Sequence, residues 1–124
     1  MWKVLLIALT FFTSSSVSAN WVLVGETHEA KFFIDYSTIR KEGGLSKVWQ
    51  MTNLNERGSD GEMSVRTRNE YDCKEERRRI IDISTHTGVT AQGRTLLSDS
   101  SPGAWTYIAP RTINEMILKI ICNK

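Results

Sequence analysis

Thr112-Ile-Asn-Glu-Met-Ile-Leu-Lys-Ile-Ile-Cys122 is the stretch at which the hydrophobic period of this chain changes from two to 3.6. Ile113, Met116, Ile117, Ile120 and Ile121 fall on one helical face, with Asn114, Lys119 and Asn123 elsewhere. Thr112 followed three residues later by Glu115 is a capping-box pattern, in which each side chain can accept the other's orphan amide, and Pro110 suits the approach to a helix. These eleven residues are too few to make a stable helix alone in water, so the helix must dock.

The docking partner is written upstream. Met63 to Cys73 alternates, with Met63, Val65, Thr67, Asn69, Tyr71 and Cys73 on one face. Ser64, Arg66, Arg68, Glu70 and Asp72 fall on the other, which reads as solvated. Arg78 to Thr87 is a further strand, with Ile81 and Ile83 opposite Asp82 and Ser84. Trp21–Gly25, Ala30–Tyr36 and Leu45–Leu54 are rich in strand formers, and Arg94–Leu97 adds a short piece. In Leu45–Leu54, Trp49 and Met51 share a face opposite Val48. Ser37 to Gly44 reads as a turn segment, and Asn55–Gly61, Gly88–Gly93 and Ser98–Gly103 as loops. The expected fold class is α+β, an antiparallel β-sheet of five to six strands with one C-terminal α-helix packed on it.

The N-terminus predicts export. Met1 to Ala19 has a positive start at Lys3, an apolar run from Val4 to Phe12 and a small-residue end at Val17-Ser18-Ala19, the three parts of a secretory signal. About nine apolar residues fall short of the roughly 20 that cross a bilayer. Cleavage after Ala19 would leave a single domain of 105 residues, Asn20 to Lys124. No cysteine near that point offers itself for lipidation, so the expected location is periplasmic or secreted, without stable membrane insertion.

The two cysteines, Cys73 and Cys122, stand in no metal-ligand or redox spacing and read as one structural disulfide in an oxidising compartment. It would tie a strand end to the last helical turn. For the 50 residues from Cys73 to Cys122 inclusive, the chain-entropy model gives about 4 kcal/mol. Without the leader, 15 basic residues face 14 acidic ones, too balanced to argue for nucleic acid or a membrane surface.

Catalytic or metal chemistry finds no set of residues. His28 and His86 lie 58 positions apart and read as surface histidines, without a ligand spacing for a metal. Ser98, Ser100 and Ser101 lack a strained nucleophile turn, and the adjacent Glu75 and Glu76 point apart. No enzyme and no cofactor are expected. The densest charge feature is Cys73-Lys-Glu-Glu-Arg-Arg-Arg79. Arg77 and Arg79, joined by Arg66, Arg68 and Arg94, form a candidate patch for a polyanionic glycan or an acidic protein segment. The competing reading is a solvated strand with internal ion pairs, and alternation turns Arg78 away from its two neighbours. Trp21, Trp49 and Trp105 read as core aromatics.

Taken in order, Phe33-Ile34-Asp35, Ile39, Gly43, Trp49, Ser64, Tyr71-Asp72-Cys73, the arginine run, Gly93, Trp105-Thr-Tyr-Ile-Ala-Pro110 and Ile121-Cys122 resemble the surface-adhesin protein E family of small exported bacterial proteins. The resemblance covers nearly all of the chain after Ala19. It implies an antiparallel sheet with a C-terminal helix, and adhesion to host extracellular-matrix and serum proteins. The chain departs from the adhesin in having no lipidation cysteine and no segment matching its ligand-binding region, so no binding residue carries over.

The first reading is a non-enzymatic exported binding domain, adhesin-like, for a host matrix or serum protein or a glycan; a homodimer is left open. The alternatives are a periplasmic inhibitor of a hydrolase such as lysozyme, inserting the loops Asn55–Gly61 and Ser98–Gly103, and a structural envelope component. The chain lacks the Ser-Gly-x-x-Tyr stretch that one lysozyme-inhibitor family uses.

Overall fold

The computed structural model describes residues 7–10 and 19–123. It contains β1 (Val22–Glu26), β2 (Ala30–Glu42), β3 (Leu45–Leu54), β4 (Ser64–Asp72), β5 (Arg77–His86), β6 (Thr95–Asp99), β7 (Thr106–Tyr107) and α1 (Ile113–Cys122). From β1 to β6, strands that follow one another in sequence are neighbours in space, whereas β7 leaves β6 and returns to pair with β5. All pairings are antiparallel, in the order β1-β2-β3-β4-β5-β6. β7 pairs with Arg77 and Arg78 at the start of β5, and β6 with Ile83 to His86 at its end, so both short strands share one edge. The leader expected over Met1–Ala19 falls largely outside the described residues, among which no helix is long and apolar enough to cross a membrane.

Helix α1 lies on one face of the sheet and buries Ile117, Leu118 and Ile121 against Ile34, Val48 and Tyr71. This is the core. The buried stripe is rotated from the expected one: Leu118 is inside, and Met116 is 43% exposed. Two contacts fix the start of the helix on the sheet. Asn114, with its amide oxygen toward Arg78, accepts from Nε and Nη2 at 3.2 Å each. Gly25 lets the helix approach edge strand β1, where a Cβ would sit 2.8 Å from Ile113 Cδ1 and 3.7 Å from Met116 Sδ. The Thr112 hydroxyl caps the helix by accepting from Glu115 N at 3.2 Å, while the Glu115 carboxylate reaches back to Arg111 N rather than to Thr112.

Cys73 directly follows β4 and Cys122 ends α1, and the two are joined, with Cα atoms 5.8 Å apart. Tyr71, two residues before Cys73, is fully buried and its hydroxyl donates to Gln50 Oε1 at 2.6 Å. Burial pushes that hydroxyl above the ordinary tyrosine range and so keeps it protonated as the donor to Gln50 at neutral pH.

Three readings of the sequence change. Ser37 to Glu42 is strand rather than turn, because pairing with β3 resumes at Arg40 after an irregularity that follows Asp35. The Thr38 hydroxyl closes that irregularity, donating to Asp35 O at 2.7 Å and accepting from Trp49 N at 3.0 Å. Only Gly43 and Gly44 turn, Gly43 at φ +60°. Second, an extra residue in β5 opposite Arg68 and Asn69 puts Ile80 and Ile83, not Ile81 and Ile83, on the helix side, opposite Asn69 and Thr67. Third, β6 runs on to Asp99, shortening the loop expected from Ser98.

Replacing both cysteines by serine is expected to lower stability by about 4 kcal/mol, read from urea unfolding. An unchanged midpoint would contradict the clamp between strand end and helix.

Candidate functional site

The sheet face opposite α1 carries the charge. Because side chains alternate, residues directly paired across strands share a face, and the register assembles that face row by row. Lys47, Glu70 and Arg79 form one row, Leu45, Asp72 and Arg77 a second, and Asp35, Trp49, Arg68 and Asp82 a third. Phe33, Met51, Arg66 and Ser84 form a fourth.

Four of the five arginines of the expected patch, Arg66, Arg68, Arg77 and Arg79, therefore lie on one surface. Arg94 precedes β6, where its amide donates to the Thr87 hydroxyl at 2.8 Å. That is the far end of β5 from Arg77 and Arg79, but only about 10 Å along the strand from Ser84, which pairs with Arg66. Arg78 faces the helix side, donating to Asn69 Oδ1 at 2.9 Å.

The expectation that Ser64, Arg66, Arg68, Glu70 and Asp72 are all solvated fails at the ends of that series. Glu70 is 4% exposed and Asp72 8%. Both are covered by the arginine run: Arg79 Nη2 lies 2.7 Å from Glu70 Oε1, and Arg77 Nε 3.0 Å from Asp72 Oδ2. Lys47 adds a second cation 3.8 Å from Glu70. The Glu75 amide, bonded to the carboxylate at 3.2 Å, and then Arg77 hold Asp72 below the ordinary carboxylate range. Trp105 covers this cluster, with the guanidinium carbons of Arg77 and Arg79 at 4.6 and 4.7 Å from its ring centroid. The ion-pair reading of the run thus holds for Arg77 and Arg79.

Arg66 and Arg68 differ. Among the described residues no carboxylate is within ion-pair distance of either, and the Nε of each is buried without a hydrogen-bond partner. Arg66 stacks over Trp49 at 5.3 Å. Beside it a cleft of about 310 Å³ is lined by Ala19, Trp21, Asp35, Thr38, Trp49 and Arg66. The three tryptophans are accordingly not core residues: each is half-buried, on or beside the helix-free face. The space under α1 is filled instead by Ile34, Val48 and Tyr71, with Val24, Tyr36, Ile39 and Ile108 packed around them.

The histidines separate. His28 is exposed in the β1–β2 turn, whereas His86 is buried, against expectation, with Ser84 Oγ 2.8 Å from Nε2 and Thr95 Oγ1 3.2 Å from Nδ1. A serine and a histidine two apart on one strand were the available signal. Ser84 is itself only 3% exposed, so the pair reads as satisfied polar packing. Burial, then the nearby Arg66 charge, push the His86 imidazole below its usual range. Among the described residues no three potential ligands gather for a metal. The two loops considered for insertion into a hydrolase both border β6: a Cβ at Gly61 of the first would lie 3.9 Å from Leu96 Cδ1, and Ser98, where the second begins, pairs with Ser84.

The surface-adhesin protein E family matches residues 21–123 of the chain. Among solved structures, crystal form II of Haemophilus influenzae protein E superposes with a TM-score of 0.67 at 14% identity, covering 94% of this chain and 97% of that one. The selenomethionine form of the same protein gives 0.66 at 14% identity, covering 87% and 89%. At that identity the likeness shows the fold. A search of curated proteins gave no match.

His86, Asp72 and Asp99, the last through its bonds from Ser101, are all held below their ordinary ranges and contribute to the acid behaviour. A neutral buried histidine contributes stability above its unfolded value of 6.5 that is lost as pH falls through the folded value, and Asp72 contributes stability above 3.8 that is lost below it. Urea midpoints are expected to fall from about pH 7.5 to about pH 5 and again in stronger acid. In H86Q the first fall should vanish; its persistence would move the effect to another group.

Proposed function

The chain belongs to the surface-adhesin protein E family, which matches it from residue 21 to residue 123, and from that premise we propose a non-enzymatic exported domain that binds an acidic partner through the helix-free face of its sheet. The partner is a host matrix or serum protein presenting carboxylates, or a polyanionic glycan. Arg66 and Arg68 carry the recognition, with Trp49 and Trp21 as the apolar floor beside them.

The observation that supports this most is the contrast within the arginine set. Arg77 and Arg79 are neutralised by Asp72 and Glu70, whereas Arg66 and Arg68 keep buried Nε donors without acceptors. Neither Arg66 nor Arg68 has an ion-pair partner among the described residues, so a ligand carboxylate or sulfate would supply the counter-charge that Asp72 and Glu70 supply to Arg77 and Arg79. Such an anion is also met well by the forked guanidinium. The near-neutral net charge argues that attraction is local to this face rather than exerted by the whole protein. Arg77 and Arg79 then serve the site indirectly by holding Trp105 and the strand register.

Retention on immobilised heparin and solid-phase binding to laminin and vitronectin test the reading, with a lysozyme assay alongside. R66S/R68S is expected to weaken binding at least about tenfold, corresponding to about 1.4 kcal/mol. R77S/R79S should instead lower stability first. Unaltered binding by R66S/R68S, or inhibition of lysozyme by the wild type without any matrix or heparin binding, would overturn the proposal.

A further inference from the structure

Asp35 is 3% exposed and ends the first paired stretch of β2. Its Oδ1 accepts from the amide and hydroxyl of Ser37 at 3.0 and 2.5 Å, and its Oδ2 accepts from the backbone N of Asn20 at 3.2 Å. Among the described residues it has no ion-pair partner. Buried carboxylates are ordinarily matched by a cation, because desolvating the charge is costly. The one donor on Oδ2 belongs to the residue that cleavage after Ala19 would make the N-terminus.

From this coincidence of a sequence boundary with a buried acceptor, we propose that removal of the leader supplies the missing charge. Water adds across the Ala19–Asn20 peptide bond; Ala19 departs as a carboxylate with the leader, and the Asn20 nitrogen becomes an ammonium held against the Asp35 carboxylate. A single amide donor is replaced by a cation with three. The pair fixes Asn20 at the β2 irregularity that Thr38 closes, and seats Trp21 in the cleft beside Trp49. Loss of Ala19, which lines the same cleft, enlarges its mouth. The charged side chains lining the cleft are Asp35 from β2 and Arg66 from β4. The inference stands apart from the ligand reading, since it concerns stability and the identity of the first residue.

The experiment compares four proteins: the mature chain beginning at Asn20 and the same chain preceded by Gly-Ser-Ala19, each with Asp35 and as D35N. The intact mass of the exported protein must first give Asn20 as its first residue; another start overturns the proposal. With Asp35, the extension is expected to lower Tm by about 5 °C. In D35N it should change nothing. An equal Tm with and without the extension, or an equal drop in D35N, would overturn it. Should D35N not fold, titration of the isotopically methylated α-amino group of the wild type decides: a pKa above about 8 is expected, and a value at or below that contradicts the pair.

Discussion

A single ten-residue helix covering one side of a seven-stranded sheet is the constraint from which the rest follows. Ile117, Leu118 and Ile121 complete the core with Ile34, Val48 and Tyr71, and the Cys73–Cys122 bond keeps that short helix in place. Without docking, a helix of this length would unravel, and the strip of sheet beneath it would be exposed. Among the described residues the opposite face receives no second layer. It has to be closed by its own side chains, by the segment around Trp21 and by Trp105.

The carboxylates of that face illustrate how it is closed. Glu70 and Asp72 are removed from water only because Arg79 and Arg77 stand directly across the β4–β5 pair and Trp105 lies over both guanidinium groups. Ion pairs of this kind add little net stability over apolar contacts, since desolvation offsets most of the attraction. They specify register instead. A slip of one residue would carry Arg77 and Arg79 to the helix side and leave two buried carboxylates unmatched, a strongly disfavoured state.

Periodicity made the architecture legible and left the surface half-read. The helix at Ile113–Cys122, the alternation of Met63–Cys73 and the cysteine pair are local patterns, and the structure places each where the pattern puts it. Alternation reports which side chains share a face, but not what covers the face. Alternation alone therefore makes Glu70 and Asp72 look solvated, and size alone makes Trp49 and Trp105 look like core. Ser37–Glu42 was hidden for a different reason: the irregularity after Asp35 breaks the period of two within a continuous strand. His86 looked like a surface residue because the hydroxyls of Ser84 and Thr95 that satisfy it are brought together only by strand pairing.

The two halves of the arginine array also explain why a shared fold at 14% identity does not transmit a ligand. Helix docking and the disulfide constrain the helix side and the strand ends, whereas the residues opposite the helix need only avoid burying an unmatched charge. Where β4 and β5 pair at Glu70–Arg79 and Asp72–Arg77, that requirement is met internally. At Arg66 and Arg68 it is not, although Asp82 stands directly across from Arg68, because the Asp82 carboxylate accepts instead from Ser100 Oγ at 2.9 Å. A face that neutralises its own arginines at one end and diverts the available carboxylate at the other has its unmet hydrogen-bonding capacity concentrated in one place, beside Trp49.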